Sequence, residues 1–365
     1  DRKISLRISK SRAIIVLGTF PIHTMKPKIN IHEVARLAGV SKSTVSRVIS
    51  ETGGSVSPKA ANAVNAAIRE LGYTRNTFAA GLRTSKSYLT LLVVPDIANP
   101  FWSEIARAVQ DRLEPEGYSV VVGNTDWSEE RELAYLNLLR TGRFDGLMIN
   151  SVTDDVDLIL ESEIPTVLIG ERSETAQVDT VGTATYQAAT LALQYLYDRG
   201  HRHIAIVTSE TGSERFLSRR YTAYMDFIAA KGLLKDPELI FTAHLSAGVG
   251  EKLARNILSV PNWRLRISAV LCGNDILAIA VQNALRAAGV EPGKDISIIG
   301  MDDIPAAALT WPALTTIRKP RAEIGRMAAE LLMKKMRDPA RLPEKHLYPG
   351  TLVVRDSVAE KRNRE

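Results

Sequence analysis

From residue 88 onward, short apolar runs alternate with amphipathic stretches, and this alternation constrains the fold more than any other feature. LTLLVVPD (89–96), YSVVVGN (118–124), FDGLMIN (144–150), PTVLIG (165–170), HIAIVTS (203–209), SAVLCGN (268–274) and DISIIGMDD (295–303) each read as a short buried strand. Helices are expected between them, over 101–117, 128–142, 184–199, 214–231, 249–258 and 275–289. Apolar strands separated by helices imply a parallel sheet covered on both faces. About eight such strands are too many for one simple lobe, so the expected body is a pair of doubly wound α/β lobes.

The first quarter of the chain is built differently. Residues 1–85 hold 14 of the 47 Lys and Arg but only 4 of the 41 Asp and Glu. All of the net positive charge therefore sits there, which predicts a polyanion-binding head on a neutral-to-acidic body. No apolar run reaches the ~18 residues of a spanning helix, so no membrane partner is expected. Cys272 is the single cysteine, which rules out an internal disulfide or a thiolate-rich metal site and fits a reducing compartment. Residues 1–24 place five basic residues before a short apolar stretch, the order of an export signal, but no small-residue cleavage pattern follows. They are read as an extension, with Met25 as the start of the head and the cytoplasm as the expected location.

Within the head, Asn30 and Glu33 form a capping box, and Ile31, Val34, Ala35 and Ala38 follow at helical spacing until Gly39. Ser41 caps a second helix whose apolar face is Val45, Val48 and Ile49. Its other face carries Lys42, Ser43, Ser46 and Arg47, side chains suited to a groove edge and a phosphate backbone. A third helix starts at Ser57 and Pro58 and ends at Gly72. Two short helices joined by a tight glycine turn make a helix-turn-helix, and the expected partner is double-stranded DNA.

The strings VARLAGVSKSTVSRVIS (34–50) and VSPKAANAVNAAIRELGYTRN (56–76) closely resemble the DNA-binding head of the LacI (lactose repressor) family. The resemblance extends through PDIANPFWSEI (95–105), RGHRHIAIV (199–207), LCGNDILAI (271–279) and residues 295–320. It implies a sequence-specific transcriptional regulator, a repressor, that binds a palindromic operator as a homodimer. In this reading the body is periplasmic-binding-protein-like and holds a small polar effector: a sugar, sugar acid, polyol or nucleoside.

Roles carry over by position. Lys42, Ser43 and Arg47 match the family's base readers, while Ser41, Thr44, Ser46, Ser57 and Tyr73 match positions that hold phosphates or shape the head. Ala60 stands where a polar residue is common. NTFAAGLR (76–83) matches the hinge, which folds on DNA and sets a leucine in the minor groove. Leu82 is that leucine, with Asn76 and Ala79 counted beside it as DNA contacts; Gly81 weakens the helix.

For the effector, the resemblance and the strand-end rule point to Asn99, Phe101, Trp102, Arg220, Asn274 and Asp302. Phe216, Thr183, Ala184 and Leu245 depart from the residues usual at their positions, which implies a pocket shaped differently from that of a typical sugar-responsive member.

The domains implied are the head at 25–75, the hinge at 76–85 and the body at 86–365. The chain should cross between lobes near 186, 314 and 343, giving lobe 1 as 86–186 and 315–342 and lobe 2 as 187–314 and 343–360. No cofactor, metal or catalytic residue is expected. The six histidines are scattered, His201 and His203 read as structural, and neither a phosphate-binding loop nor a Gly-x-Ser-x-Gly elbow appears.

Overall fold

The structure is a computed structural model, and it describes residues 29–50, 56–73, 86–153, 156–161, 163–171, 177–209, 219–243 and 246–361. Residues 1–24 and the hinge residues Asn76, Ala79 and Leu82 lie outside the described residues. The chain divides into two compact units, one ending at Ala80 and the other starting at Gly81.

The first unit contains three helices: α1 (Ile31–Ala38), α2 (Lys42–Ser50) and α3 (Pro58–Leu71). The Asn30 side chain accepts from the backbone N–H of His32 and Glu33, and Glu33 accepts from the N–H of Asn30 at 2.7 Å, completing the capping box. Gly39 and Gly72 end their helices at φ 63° and 61°, a left-handed conformation that glycine adopts without steric cost. Val34, Ala35, Val45, Val64 and Ala67 are buried together, with Tyr73 packed against them. One apolar face from each helix thus closes a core too small to do more than fix the angles between the helices.

The second unit contains two six-stranded sheets. The first consists of β1 (Leu89–Val94), β2 (Ser119–Asn124), β3 (Gly146–Ile149), β4 (Thr166–Ile169), β5 (Asp179–Thr183) and β11 (Lys345–Tyr348), in the order β11-β5-β4-β3-β1-β2 and parallel throughout. The second consists of β6 (Ile204–Ser209), β7 (Ile240–Ala243), β8 (Ala269–Cys272), β9 (Ser297–Asp302), β10 (Thr315–Arg318) and β12 (Thr351–Val353). Its order is β12-β10-β9-β8-β6-β7, and only β12 runs antiparallel.

Helices cover both faces of each sheet. Those of the first lobe are α4 (Pro100–Leu113), α5 (Glu129–Leu139) and α6 (Val156–Leu160). Those following strands of the second are α7 (Thr185–Asp198), α8 (Arg219–Ala230), α9 (Gly250–Ser259), α10 (Trp263–Arg266) and α11 (Asp275–Ala287). The central strands β1, β3, β8 and β9 are buried, largely apolar runs, as sheets covered on both faces require, while the edge strands β2, β11 and β12 are partly exposed.

The chain crosses between lobes after β5, after β10 and between β11 and β12. The last two crossings fall later than expected near 314 and 343: β10 completes the second sheet, and β11 the first. Their sequences, TTIR and KHLY, are short and half polar, and so give little strand signal. The first return brings α12 (Arg321–Arg337) back onto the first lobe. Although Ile324, Ala328, Leu331 and Leu332 mark its buried face at helical spacing, this helix had not been expected.

The contact between α12 and α4 depends on Gly325. A Cβ there would lie 2.6 Å from the Ile105 carbonyl and 2.7 Å from Ala108 Cβ. Gly325→Leu keeps helix propensity but overfills this contact, and should cost about 1–3 kcal/mol. The check is a lowered urea midpoint of the body's transition; an unchanged midpoint would mean that the helices separate freely.

Candidate DNA-binding and ligand-binding sites

On the head, Ser41, Lys42, Ser43 and Arg47 are exposed, and Thr44 and Ser46 are half-buried. Ser41 Oγ accepts from Thr44 N–H at 3.1 Å and lies 2.7 Å from Ser43 Oγ, so it orders the first turn of α2. Ser57 caps α3 by accepting from Ala60 N–H at 3.3 Å. The Ser41 contacts order the start of α2, where Lys42 and Ser43 are exposed as a polar and cationic edge. A helix N-terminus bearing Lys42 is suited to phosphate and groove contacts.

On the body, the candidate residues gather at the carboxyl ends of the strands. In the second sheet, Asp302 ends β9 and is 2% exposed. Its Oδ1 accepts from Lys319 Nζ at 2.7 Å, and Lys319 is itself only 6% exposed. The ammonium also lies 4.9 Å from the centre of the Phe101 ring, on the other lobe. Arg220, on α8, faces Asp302 electrostatically, and its Nε–H is buried with no acceptor among the described residues. Burial lowers the pKa of both cations, while the Asp302 charge acts to raise them.

Beside this pair, Asp275 is fully buried at the start of α11. It accepts from Thr316 Oγ1 and, at 2.9 Å, from Ile304 N–H. Burial, reinforced by the negative charge of Asp302, pushes its carboxyl up to about 7.

Contacts from Arg321 join the lobes. Its guanidinium donates to the carbonyls of Asp302 and Asp303 on the second lobe, and at 2.6 Å to Glu104 on α4 of the first. A further crossing is made by Glu171, which follows β4. It accepts from Tyr186 N–H at 2.9 Å and lies 3.4 Å from Arg219.

Other candidates serve local structure. Asn99 accepts from Phe101 N–H at 3.0 Å and caps α4; Asn274 accepts from Leu277 N–H at 2.9 Å and caps α11. Phe101 and Trp102 are each 8% exposed and packed edge to face, rather than presenting the open faces expected for stacking on a sugar ring. They pack there because the first turn of α4 must close the apolar core beneath it. Asp302 does not cap a helix, the alternative role for a strand-end aspartate, but forms an ion pair. Phe216 and Leu245 lie outside the described residues.

Sequence reasoning missed Lys319, Asp275 and Arg321. Lys319 directly follows β10, so a strand-end search would have found it had TTIR been read as a strand.

Cys272 is fully buried, and burial pushes its thiol up to about 12, which makes it unreactive. His201 is buried between Ser268 Oγ at 3.0 Å and the Ala359 carbonyl at 3.1 Å, and burial lowers its pKa to about 4. It ties the C-terminal segment to the second sheet. Among the described residues no group of His, Cys, Asp and Glu could hold a metal, and no helix is long and apolar enough to cross a membrane.

Residues 30–76 match the family model described as bacterial regulatory proteins, lacI family, and residues 193–358 match a periplasmic binding protein-like domain. The HTH-type transcriptional regulator DegA of Bacillus subtilis is 30% identical, covering 91% of this chain and 98% of DegA. The chain belongs to the LacI family of bacterial transcriptional regulators. The HTH-type transcriptional repressor CytR of Escherichia coli strain K12 is also 30% identical, over 89% of this chain and 95% of its own. Among solved structures, the Lac repressor dimer bound to operator and the anti-inducer ONPF matches with a TM-score of 0.78 at 25% identity, covering 91% and 99% of the two chains. The CelR–cellobiose complex matches with a TM-score of 0.66 at 27% identity, over 90% and 99%. As a LacI-family member the chain is a DNA-binding transcriptional regulator with a helix-turn-helix head and a periplasmic-binding-protein-like body.

The position of Asp275 gives a pH signature. In the folded protein its carboxyl holds a proton up to about 7, against an ordinary value of 3.8. Between those values the folded state binds more protons than the unfolded, so stability falls as pH rises, by at most about 1.4 kcal/mol per unit. Asp275→Asn keeps an acceptor for Ile304 N–H and removes the titration. Its thermal midpoint should decline less than the wild type's between pH 5 and 7. The opposing His201 contribution is common to both proteins, and equal slopes would show that Asp275 titrates normally.

Proposed function

We propose that the protein is a repressor that binds a near-palindromic operator as a homodimer and is controlled by a small polar ligand held between the lobes. The observation that carries this reading is the cluster of Arg220, Asp302 and Lys319 at the carboxyl edge of the second sheet, opposite Phe101 of the first. Ligands of open α/β sheets bind beyond the carboxyl ends of strands. A cleft lined by two lobes also offers two arrangements of different ligand affinity, which is what regulation requires. The CelR structure holds cellobiose, and an Enterococcus faecium LacI-family regulator at 25% identity holds ribose; both support a sugar-like effector here. In this reading Asn99 and Asn274 position their helices at the cleft, while Arg220 and Asp302 touch the ligand.

In the head, Lys42, Ser43 and Arg47 read bases, and Ser41, Thr44, Ser46, Ser57 and Tyr73 hold phosphates or shape the surface. Asn76, Ala79 and Leu82 form the hinge, with Leu82 as a minor-groove wedge. The test is a titration of operator fragments with the full chain, with and without cleft ligands. A ligand that binds yet leaves operator affinity unchanged would refute the regulator reading. Arg47→Ala should lose about 1–3 kcal/mol on operator and less on random DNA, in a filter-binding assay at fixed salt.

For the dimer, the body exposes Leu309 (84%) and Trp311 (75%) on one loop. Exposed large apolar residues clustered together mark contact surfaces. The Lac repressor structure it resembles is a dimer. Trp311→Ser should raise the dimer dissociation constant about tenfold or more in sedimentation velocity, as loss of an aromatic anchor does. A change below twofold would place the interface elsewhere.

A further inference from the structure

Building on the regulator reading above, we infer that the effector is an anion, a sugar acid whose carboxylate is held by Lys319 and Arg220. The two cations of the site keep unused hydrogen-bond donors among the described residues. Lys319 carries three N–H donors and, among the described residues, bonds only Asp302 Oδ1 at 2.7 Å. The Nε–H of Arg220 is buried without an acceptor among the described residues. Both oxygens of Asp275 are taken, by Thr316 and by Ile304 N–H. On the first sheet the Trp127 indole N–H, just after β2, is likewise buried with no acceptor among the described residues, and the Thr125 and Thr183 hydroxyls at strand ends are buried without a partner there. A carboxylate only accepts, so it can take both the Lys319 and the Arg220 donors.

Charge leads to the same ligand. Two buried cations face Asp302, and the second acid, Asp275, is held toward its protonated form by burial and by Asp302. Among the described residues the two buried cations thus outnumber the one carboxylate they both face, and an uncompensated buried charge is costly. A monoanion cancels it. Glu104 does not, because it is engaged by Arg321, and Asp303 is engaged by Arg318 and Arg355 at 2.7 and 2.6 Å. A planar guanidinium beside an ammonium matches a carboxylate in shape as well as in charge.

The test is calorimetric titration of the full chain at fixed ionic strength with hexuronates and aldonates, their neutral parent sugars, the corresponding alditols, and sugar phosphates. The expected result is at least one sugar acid bound about tenfold or more tighter than its neutral parent, the scale of a charge-assisted hydrogen bond. Lys319→Gln should remove most of that preference, and Lys319→Arg should keep it. The acid-against-neutral comparison uses the wild-type chain and stands even if Lys319→Gln folds poorly. Preference for a neutral sugar or alditol, preference for a phosphate, or no binding of any sugar acid at millimolar concentration would each overturn the inference. The regulator reading fails separately, if a ligand that binds leaves operator affinity unchanged.

Discussion

The ion pair between Lys319 and Asp302 is the interaction around which the body is arranged. Neither residue is significantly exposed, and water has been removed from both charges. Such a pair seldom adds to stability, because the desolvation of each ion costs several kcal/mol and mutual attraction roughly cancels it. The packing around the pair shows why its position matters. Asp302 ends a strand whose six residues are all buried, Lys319 directly follows the neighbouring strand, and the Phe101 ring closes over the ammonium from the opposite lobe. The charges are thus held where two sheets face each other, at the point where a ligand can alter the balance among them.

The three chain crossings supply the mechanics. Because each lobe is built from discontinuous segments, the lobes cannot separate as independent domains, yet they can rotate about the crossing strands. Arg321 sits at the second crossing and touches both lobes, with its guanidinium on the Asp302 and Asp303 carbonyls and on Glu104. Glu171 makes the complementary contact near the first crossing, to Tyr186 and Arg219. Any change in lobe angle must stretch or exchange these charged contacts.

Much of this was legible in the sequence, for identifiable reasons. Strands such as LTLLVV and SIIGMD are continuous apolar runs, and the capping residues Asn30 and Ser57 do in the structure what their chemistry implied. The strands missed were DTVGT of β5, TTIR of β10 and KHLY of β11, which have little apolar content, and IFTA of β7 and TLV of β12, which are only four and three residues long. These form ladders because neighbouring strands template them, a tertiary cause that local pattern does not carry. The misplaced crossings followed directly from that. At the candidate site, Arg220 and Asp302 were found from family likeness and strand-end position. The geometry adds Lys319 and Asp275, whose importance depends on burial, and burial of a lysine is contrary to its usual preference. Phe101 and Trp102 show the opposite limit, since an aromatic at a strand end reads the same in sequence whether its face is open or packed.

The division of labour between the two units follows from their different chemistries. The head has a core of five buried residues and a cationic, hydroxyl-rich edge, so its affinity for a polyanion is largely electrostatic and needs no large scaffold. Among its described residues it has no buried polar cluster that a small molecule could perturb. The body has the reverse: closed apolar layers, a pKa displaced by burial and unsatisfied donors, all features of sites whose energy depends on what they bind. A ligand in the body can act on DNA binding only through a change in what the body offers the chain at residue 86. In the proposed reading that change would be a lobe rotation, since the strand β1 that begins there is anchored in the first sheet between β2 and β3. Held between those two strands, β1 is in that reading the element through which a change at the strand ends around Asp302 would reach the start of the body.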